Sequence, residues 1–231
     1  MKYLWIVILG LLIFSSQAMG QEKDVPKTQK DKVSYVIGMD IGTNLKKQGI
    51  DINPDVVFKG MKDAFSGNKP LLTEKEMDET IAAFEKEMKT KQEAKMKQAG
   101  EKNKKEGDAF LAENKKKDGI ITLPSGLQYK VIKKGSGKKP KSSDTVTTHY
   151  KGTLIDGTEF DSSYKRGQPV SFQVGGVIAG WTEPLQLMEE GAKWQLFIPS
   201  QLAYGELGAG PIGPNATLIF EVELISIQEK K

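Results

Sequence analysis

The stretch from residue 146 to residue 163 decides the fold, and it reads VTTHYKGTLIDGTEFDSS. Its first part has the two-residue period of a β-strand with one solvated face. One side of that strand carries Val146, Thr148 and Tyr150, and the other carries Thr147, His149 and Lys151. Asp156 and Gly157 come next, and such a pair between two strand-like runs favours a tight turn. The stretch therefore predicts an antiparallel hairpin.

A further strand and a short helix are predicted nearer the C-terminus. The strand alternates Phe220, Val222 and Leu224 with Glu221 and Glu223. Residues 180–188 read GWTEPLQLM, which is a short helical pattern. The texture of short β-branched and aromatic runs begins near Gly119, so a domain boundary is expected there. The implied architecture is one small antiparallel sheet wrapped on a short helix.

The N-terminal half has the pattern of helices. Two amphipathic helices are predicted from apolar residues that recur at three- or four-residue spacing: Val33, Val36, Ile37, Ile41 and Leu45 in the first, and Val57, Met61 and Phe65 in the second. Gly49 ends the first helix. Asn53 is an N-cap followed by Pro54 in the first helical position, and Gly67 caps the end.

A long helix is predicted over residues 73–117. Thr73 and Glu76 match a capping box, and an apolar stripe follows at Met77, Ile81, Phe84 and Met88. Beyond Met88 the stripe is lost, which predicts a solvated helical spacer. Gly100 and Gly107 each weaken this spacer by about 1 kcal/mol relative to alanine, so bending or fraying is expected there. The fold class is thus α+β, with an all-α N-terminal domain and a long connecting helix.

The first residues are typical of a secretory signal peptide. Lys2 precedes an apolar run over residues 3–14, and small or polar residues follow. We expect residues 1–20 to be removed by cleavage after Ala18 or Gly20, and the polar residues 21–30 to be disordered. An uncleaved anchor is the alternative, although the apolar run is short for a membrane span. After cleavage no membrane span is expected.

Charge and composition exclude several function classes. The chain has 34 Lys and Arg against 30 Asp and Glu, a formal net charge of +4, which is a mixed surface and not that of a nucleic-acid binder. It has no cysteine, so disulfides, thiol catalysis and cysteine metal sites are excluded. His149 is the single histidine, which leaves no histidine-rich metal site. No cysteine-based or histidine-rich metal site is therefore expected, and the activity implied by the motifs described below requires neither a metal nor an organic cofactor.

Other catalytic patterns find little support. Asp156 and Asp161 have neither the spacing nor the context of a glycosidase pair. Residues 205–210 are glycine-rich but lack the Lys and Ser or Thr of a phosphate-binding loop. What remains is a set of aromatic and branched residues near turns: Tyr150, Phe160, Phe172, Val177, Ile178, Trp181, Tyr204, Ile212 and Phe220. Periodicity alone favours a hydrophobic core for this set and leaves a pocket as the alternative.

The C-terminal region resembles the FKBP family of peptidyl-prolyl isomerases. The resemblance covers residues 120–228, so that an isomerase domain is expected over residues 119–231. It rests on five motifs in order: VTTHYKGTL at 146–154, DGTEFDSS at 156–163, VIAGW at 177–181, LAYG at 202–205 and PNATLIF at 214–220. Several ordered motifs at family spacing are far more specific than any one of them.

The N-terminal region is similar to that of the exported Mip and FkpA group of the family. The similarity lies in VSYVIG at residues 33–38 and in the long helix that reaches FLAEN at residues 110–114. It implies that residues 31–72 form a helical dimerisation domain and that residues 73–117 form the connecting helix. The implied assembly is a homodimer.

The resemblance also implies a proline-binding pocket. Asp161 at its edge and Tyr204, which would bond to a substrate carbonyl, are the expected catalytic residues. The substrate-binding residues would be Trp181 as the floor, with the walls and flap formed by Tyr150, Phe160, Phe172, Val177, Ile178, Ile212 and Phe220. Val170 stands where many members have an aromatic residue, and the turn at Gly175 and Gly176 is shorter than usual. Pocket width and sequence preference should therefore differ from other members.

The function implied is peptidyl-prolyl cis-trans isomerisation of X-Pro bonds in unfolded or folding exported polypeptides. The helical arms would add a holding, chaperone-like activity. The resemblance further implies macrolide inhibitors, and a periplasmic or otherwise exported location with outer-membrane association. A non-catalytic periplasmic chaperone or polypeptide-binding module is the alternative.

Overall fold

The structure, a computed structural model, describes residues 25–228. The predicted signal peptide and the first residues of the predicted disordered segment lie outside the described residues. The chain divides into two compact units, Met1–Thr73 and Glu74–Lys231. Within the described part of the chain, no helix combines the length and the apolar character needed to cross a membrane.

The first unit contains two capped helices. Helix α1 spans Gln29–Lys47 and begins two residues before the predicted start, because Thr28 and Asp31 form a reciprocal capping box. Helix α2 spans Pro54–Phe65, and the Asn53 side chain accepts hydrogen bonds from the backbone N–H groups of Asp55 and Val56. Asn53 is therefore the N-cap that the sequence predicts.

Helices α1 and α2 leave their apolar side chains exposed. Neither helix contains a buried residue, and the side chain of Phe65 is 89% exposed. The two helices form an apolar groove of about 730 Å³. The apolar side chains of this groove are those of Ile37, Ile41, Leu45, Ile50, Ile52, Val57, Phe58, Met61 and Phe65. Monomeric soluble proteins rarely expose contiguous apolar surface of this kind.

The second unit begins with the long helix α3, Glu74–Asn114. The helix continues without a break through Gly100 and Gly107, and both glycines and Asn114 are buried. The prediction that the stretch beyond Met88 is a solvated spacer is therefore wrong for the part that starts at Gly100. A stripe of large apolar side chains is the usual sequence pattern of a packed helix, but here the absence of a side chain at Gly100 and Gly107 allows the close approach.

A seven-stranded antiparallel sheet follows α3 in the second unit. Its order is β1-β2-β6-β7-β3-β4, and β5 also pairs with β3. The strands are β1 Ile120–Thr122, β2 Gln128–Lys133, β3 Thr145–Leu154, β4 Glu159–Ser162, β5 Val170–Gln173, β6 Lys193–Ile198 and β7 Leu218–Gln228.

The predicted hairpin joins β3 to β4. Gly157 has a φ of 87°, a left-handed conformation that glycine adopts without a steric cost, and its N–H bonds to the carbonyl of Leu154. Strand β7 lies on the other side of β3, where Gly152 is opposite Phe220. The two stretches that the sequence predicts as strands are therefore neighbours at the centre of the sheet.

The core lies between the sheet and the short helix α4, Ala179–Leu185. Leu185 of the helix and Leu196, Leu218 and Leu224 of the sheet are fully buried. Burial of each such side chain contributes about 1.5–3 kcal/mol. Helix α4 ends three residues before the predicted Met188, because the N–H groups of residues 187 and 188 both turn back to the carbonyl of Pro184.

Candidate active site

A cavity of about 710 Å³ opens between the sheet, α4 and the loop before β7. All ten site residues predicted from the sequence line it: Tyr150, Phe160, Asp161, Phe172, Val177, Ile178, Trp181, Tyr204, Ile212 and Phe220. Periodicity alone leaves open whether these residues form a hydrophobic core or a pocket, and the structure shows that they contribute to both. Trp181, Ile212 and Phe220 are buried members of the core, and they also form the inner surface of the cavity.

Trp181 is the centre of the aromatic lining. Its ring lies edge-to-face with the rings of Tyr150, Phe172 and Phe220, at centroid distances of 5.1, 5.4 and 5.1 Å. Such pairs stabilise by about 0.5–1.5 kcal/mol beyond their area burial, so the floor is held from three sides. The indole nitrogen of Trp181 is buried without a hydrogen-bond partner among the described residues.

Gly152 allows the cavity wall to close around it. A Cβ atom at this position would lie 2.7 Å from ring atoms of both Phe160 and Phe220. The two rings pack edge-to-face with their centroids 5.4 Å apart. Any larger residue at position 152 would displace one of the two rings. Gly152 belongs to the motif at residues 146–154, but the sequence alone does not predict this role for it.

Gly180 has the same function for the floor. A Cβ atom there would lie 2.3 Å from Cγ2 of Ile198 on β6. Helix α4 can therefore approach the sheet closely only because residue 180 is glycine. That approach sets the depth at which the neighbouring Trp181 lies.

A polar cluster forms one edge of the cavity. The Tyr150 hydroxyl donates a hydrogen bond of 2.5 Å to Oδ2 of Asp161. The Arg166 guanidinium forms an ion pair with Oδ1 of Asp161 and donates a second hydrogen bond, of 2.7 Å, to the Tyr150 hydroxyl. It also lies over the Tyr150 ring, with Cζ 5.4 Å from the ring centroid. The carboxylate is thus fixed in position by two donors.

This cluster keeps Asp161 ionised and Tyr150 protonated. Burial alone would raise the pKa of Asp161, but the hydrogen bonds from Tyr150 and Arg166 outweigh it and lower the pKa below its ordinary value of 3.8. Burial raises the pKa of Tyr150, and its hydrogen bond to Asp161 raises it further. Near neutral pH the edge therefore carries a negative carboxylate, a positive guanidinium and a neutral phenol.

Another part of the rim comes from the loop before β7. Ala209, Pro211 and Ile212 line the cavity there, together with Tyr204, which is 40% exposed. The loop is closed by reciprocal backbone hydrogen bonds of 2.9 Å between Ala209 and Ile212. The glycine-rich segment noted in the sequence is therefore part of the rim of the cavity.

Sequence reasoning missed several contributors. Arg166 was not predicted, because its contact with Asp161 crosses a turn and depends on how a long side chain folds back. Val170 and Gly176, which were noted only as departures from the family pattern, also line the cavity, and Ala209 and Pro211 complete it.

His149 and Asp156, the other candidates for catalysis in the sequence, do not line the cavity. His149 stacks on Tyr164 at 4.6 Å, and its Nδ1 lies 2.9 Å from Oγ of Ser163. Asp156 accepts a hydrogen bond from the backbone N–H of Thr158 in the hairpin turn. Between residues 25 and 228, no group of three or more histidine, aspartate and glutamate residues could hold a metal ion.

Two family models match the chain in succession. Residues 30–131 match the domain amino terminal to FKBP-type peptidyl-prolyl isomerase, and residues 136–225 match FKBP-type peptidyl-prolyl cis-trans isomerase. The second match contains β3, α4, all of β7 except its last three residues, and all ten predicted site residues.

Similar proteins match along nearly the whole length. Outer membrane protein MIP of Legionella longbeachae is 52% identical over 99% of this chain and 98% of that protein. Peptidyl-prolyl cis-trans isomerase Mip of Coxiella burnetii is 49% identical over 88% of this chain and 89% of its own length. The crystal structure of FkpA from Escherichia coli has a TM-score of 0.70 at 41% identity, and covers 88% of this chain and 99% of that one. The chain belongs to the FKBP-type peptidyl-prolyl cis-trans isomerases, in the group that includes Mip and FkpA.

Proposed function

We propose that the chain is a peptidyl-prolyl cis-trans isomerase whose active site is the cavity floored by Trp181. The observation that carries the proposal is the combination of aromatic walls on three sides of Trp181 with a fixed carboxylate at Asp161. The apolar floor suits the ring of a proline side chain, and the polar edge suits the peptide group that precedes it.

An apolar cavity suits the physics of this reaction. Rotation about a peptide bond must overcome about 18–20 kcal/mol, because the planar amide is stabilised by resonance. The twisted amide loses that resonance and much of its polarity. A site with apolar walls and little water therefore favours the twisted amide over the planar ground state. No bond breaks, so neither a nucleophile nor a metal ion is needed.

The polar groups would act on the peptide group as it twists. Asp161 lines the cavity and its pKa is lowered, so its carboxylate would set the electrostatic field that the rotating carbonyl experiences. The hydroxyl of Tyr204, which also lines the cavity, would donate a hydrogen bond to a substrate carbonyl. Tyr150 and Arg166 would act through Asp161 by fixing its position, which makes them positioning residues.

The substrates proposed are proline-containing polypeptides outside the cytoplasm. Two observations support an exported location: the signal-like residues 1–20 and the relative named outer membrane protein MIP. Macrolide inhibitors would bind in the same cavity and compete with the proline. In the periplasm, the protein would act on exported chains while they fold.

We further propose a homodimer assembled through the first unit. Helices α1 and α2 contain no buried residue, and their groove is lined mostly by apolar side chains. Most helical stability in proteins comes from packing of an apolar face, and among residues 25–73 these faces have no partner of sufficient size. A second copy of the same unit would bury both grooves and would give two isomerase sites, with helical arms that hold unfolded segments.

A non-catalytic chaperone is the competing function, and the exposed apolar groove favours it. An isomerisation assay with a short proline peptide separates the two. An isomerase accelerates cis-trans exchange at substoichiometric concentration, whereas a binding module leaves the exchange rate unchanged. Prevention of aggregation alone would support the competing function.

A further inference from the structure

The C-terminal part of α3 packs against the loop that forms the cavity rim. We name residues 205–217 the flap and residues 100–114 the brace. A Cβ atom on Gly107 of the brace would lie 2.2 Å from Oγ1 of Thr217 in the flap, and one on Gly100 would lie 3.2 Å from Nδ2 of Asn215. The first distance is a severe overlap. The contact therefore depends on glycine at position 107 and is tight at position 100.

Polar contacts hold the same segment. The Asn103 side chain donates a hydrogen bond of 2.8 Å to the carbonyl of Pro214, and the Asn215 side chain donates one of 3.4 Å to the carbonyl of Gly100. Asn215 itself has a φ of 54°, a left-handed conformation that is uncommon for residues other than glycine. Its backbone N–H bonds to the carbonyl of Gly205 at 2.8 Å. The brace thus holds the C-terminal end of the flap at Pro214 and Asn215, and Asn215 in turn holds the start of the flap at Gly205.

The glycines themselves require an explanation. Glycine inside a helix costs stability relative to alanine, and the brace carries two of them seven residues apart, on one face of α3. Thr217, which Gly107 faces, is buried. Both glycines lie where flap side chains come close to the helix: Thr217 at Gly107, and Pro214 and Asn215 at Gly100. The two glycines therefore allow the helix and the flap to pack closely. A flexible linker would have no need of such packing.

The far end of the brace is also fixed. The Asn114 side chain donates a hydrogen bond of 3.0 Å to the Gln128 side chain, which donates one of 2.9 Å to the carbonyl of Leu111. Phe110 packs near Phe197 of β6, with ring centroids 6.0 Å apart. The brace is therefore anchored to the sheet independently of the flap, so it can serve as a fixed support.

We propose that the brace positions the flap for substrate binding, and that Asn103 and Gly107 are positioning residues of the isomerase site. The flap supplies Ala209, Pro211 and Ile212 to the cavity, and the brace fixes the segment through which the flap returns to β7. Loss of the brace contacts frees the rim without altering Asp161 or Trp181. The inference rests on the proposed isomerase function, because it assigns the flap a role in that site.

The test compares Asn103→Ala with Lys104→Ala in the full chain. The two positions are neighbours on α3, and the Lys104 side chain is exposed and paired with Asp108 on its own helix. The first readout is amide hydrogen exchange at Ala209 and Ile212, measured relative to amides of β3 and β7. In Asn103→Ala we expect exchange at the flap to increase at least about fivefold while the sheet is unchanged. Lys104→Ala should match the wild type.

The second readout is steady-state kinetics on a short proline peptide. For Asn103→Ala we expect KM to rise at least about threefold with kcat within about twofold, since the lost contacts act on binding at the rim. An unchanged KM with unchanged flap exchange overturns the proposal. Equal acceleration of exchange in the flap and the sheet also overturns it, because it would show that the brace only stabilises the fold.

A rescue experiment tests the close approach directly. Gly107→Ala places a methyl group against Oγ1 of Thr217, so it should raise KM more than Asn103→Ala does. Combining it with Thr217→Ala removes the colliding hydroxyl and should recover part of the loss. If Gly107→Ala fails to fold, the Asn103 and Lys104 comparison still decides. A wild-type chain without isomerase activity would contradict the proposed function, while the exchange contrast would still report whether the brace holds the flap.

Discussion

The Tyr150 hydroxyl donates a hydrogen bond of 2.5 Å to Asp161, and both residues are held by the same Arg166 guanidinium. This arrangement places a fixed negative charge beside an aromatic cavity. It also explains why a carboxylate can lie at the edge of an apolar site: two donors compensate for its partial loss of water.

Removal of Arg166 should raise the pKa of Asp161 toward its ordinary value of 3.8, because one of the two donors that lower it is lost. A carbon-detected NMR titration of the wild type and of Arg166→Ala measures both values. The ionised form of Asp161 contributes stability that is present above the unfolded-state pKa and is lost as pH falls through the lower folded-state pKa. In Arg166→Ala this contribution should be smaller, and its loss should be complete at a higher pH, because the folded-state pKa lies closer to the unfolded-state pKa.

Asp156 provides the internal control for that titration. Its pKa is lowered by hydrogen bonds from Thr158 in the hairpin turn, and Arg166 does not contribute. The pKa of Asp156 should therefore be the same in both proteins. An Asp161 pKa that stays equal or falls in Arg166→Ala would mean that the ion pair does not control this carboxylate.

Gly152→Ala should damage the cavity wall. The new methyl group would lie 2.7 Å from the rings of Phe160 and Phe220, so one ring must move into the cavity or away from the core. We expect kcat/KM to fall at least about tenfold, which corresponds to about 1.4 kcal/mol of transition-state stabilisation. Gly60→Ala is the matched control, since a Cβ there meets nothing within 4 Å. Equal activity of the two variants would contradict the assigned role of Gly152.

Phe220→Ala should reduce both stability and activity. Phe220 is buried and packs against Tyr150, Phe160 and Trp181. Truncation of such a side chain typically lowers the free energy of unfolding by about 3–5 kcal/mol. Chemical denaturation measures this change, and activity is compared only under conditions where circular dichroism shows a folded variant. A folded Phe220→Ala with full activity would place the substrate site elsewhere.

Ile41→Glu should dissociate the proposed dimer. Ile41 lines the groove of the first unit and is 39% exposed, so a glutamate there would leave a charge buried in the dimer interface. Light scattering at about tens of micromolar should give twice the mass of one chain for the wild type and a single chain for the variant. Lys30→Glu, an exposed position outside the groove, should stay dimeric. A monomeric wild type would contradict the dimer.

The sequence predicted the hairpin, the helices and the ten cavity residues, for identifiable reasons. Local periodicity and capping act over a few residues, so Asn53 and the Asp156 turn could be recognised directly. The ordered FKBP motifs identified the residues that line one cavity although they come from separate elements. Their grouping required that resemblance, because periodicity alone could not distinguish a pocket from a core.

Features that depend on distant contacts were missed. The ion pair of Arg166 with Asp161 depends on the conformation of a turn. The packing of Gly107 on Thr217 joins residues 110 positions apart, and the part of α3 that contains Gly107 has no apolar stripe. A single sequence does not distinguish a glycine that destabilises a helix from one that allows another segment to pack closely against the helix. The roles of Asp161 and Tyr204 stay predictions.

The central claim is that the cavity floored by Trp181 isomerises X-Pro bonds, and one experiment tests it most directly. The wild type, Asp161→Val and Tyr204→Phe are each assayed on a Phe-Pro peptide, after circular dichroism has established that all three are folded. Uncatalysed isomerisation takes about tens to hundreds of seconds, so catalysis is easy to resolve. The account predicts a strongly accelerated rate for the wild type and a kcat/KM at least about tenfold lower for Asp161→Val. An uncatalysed rate with the folded wild type, or full activity in both variants, would contradict it.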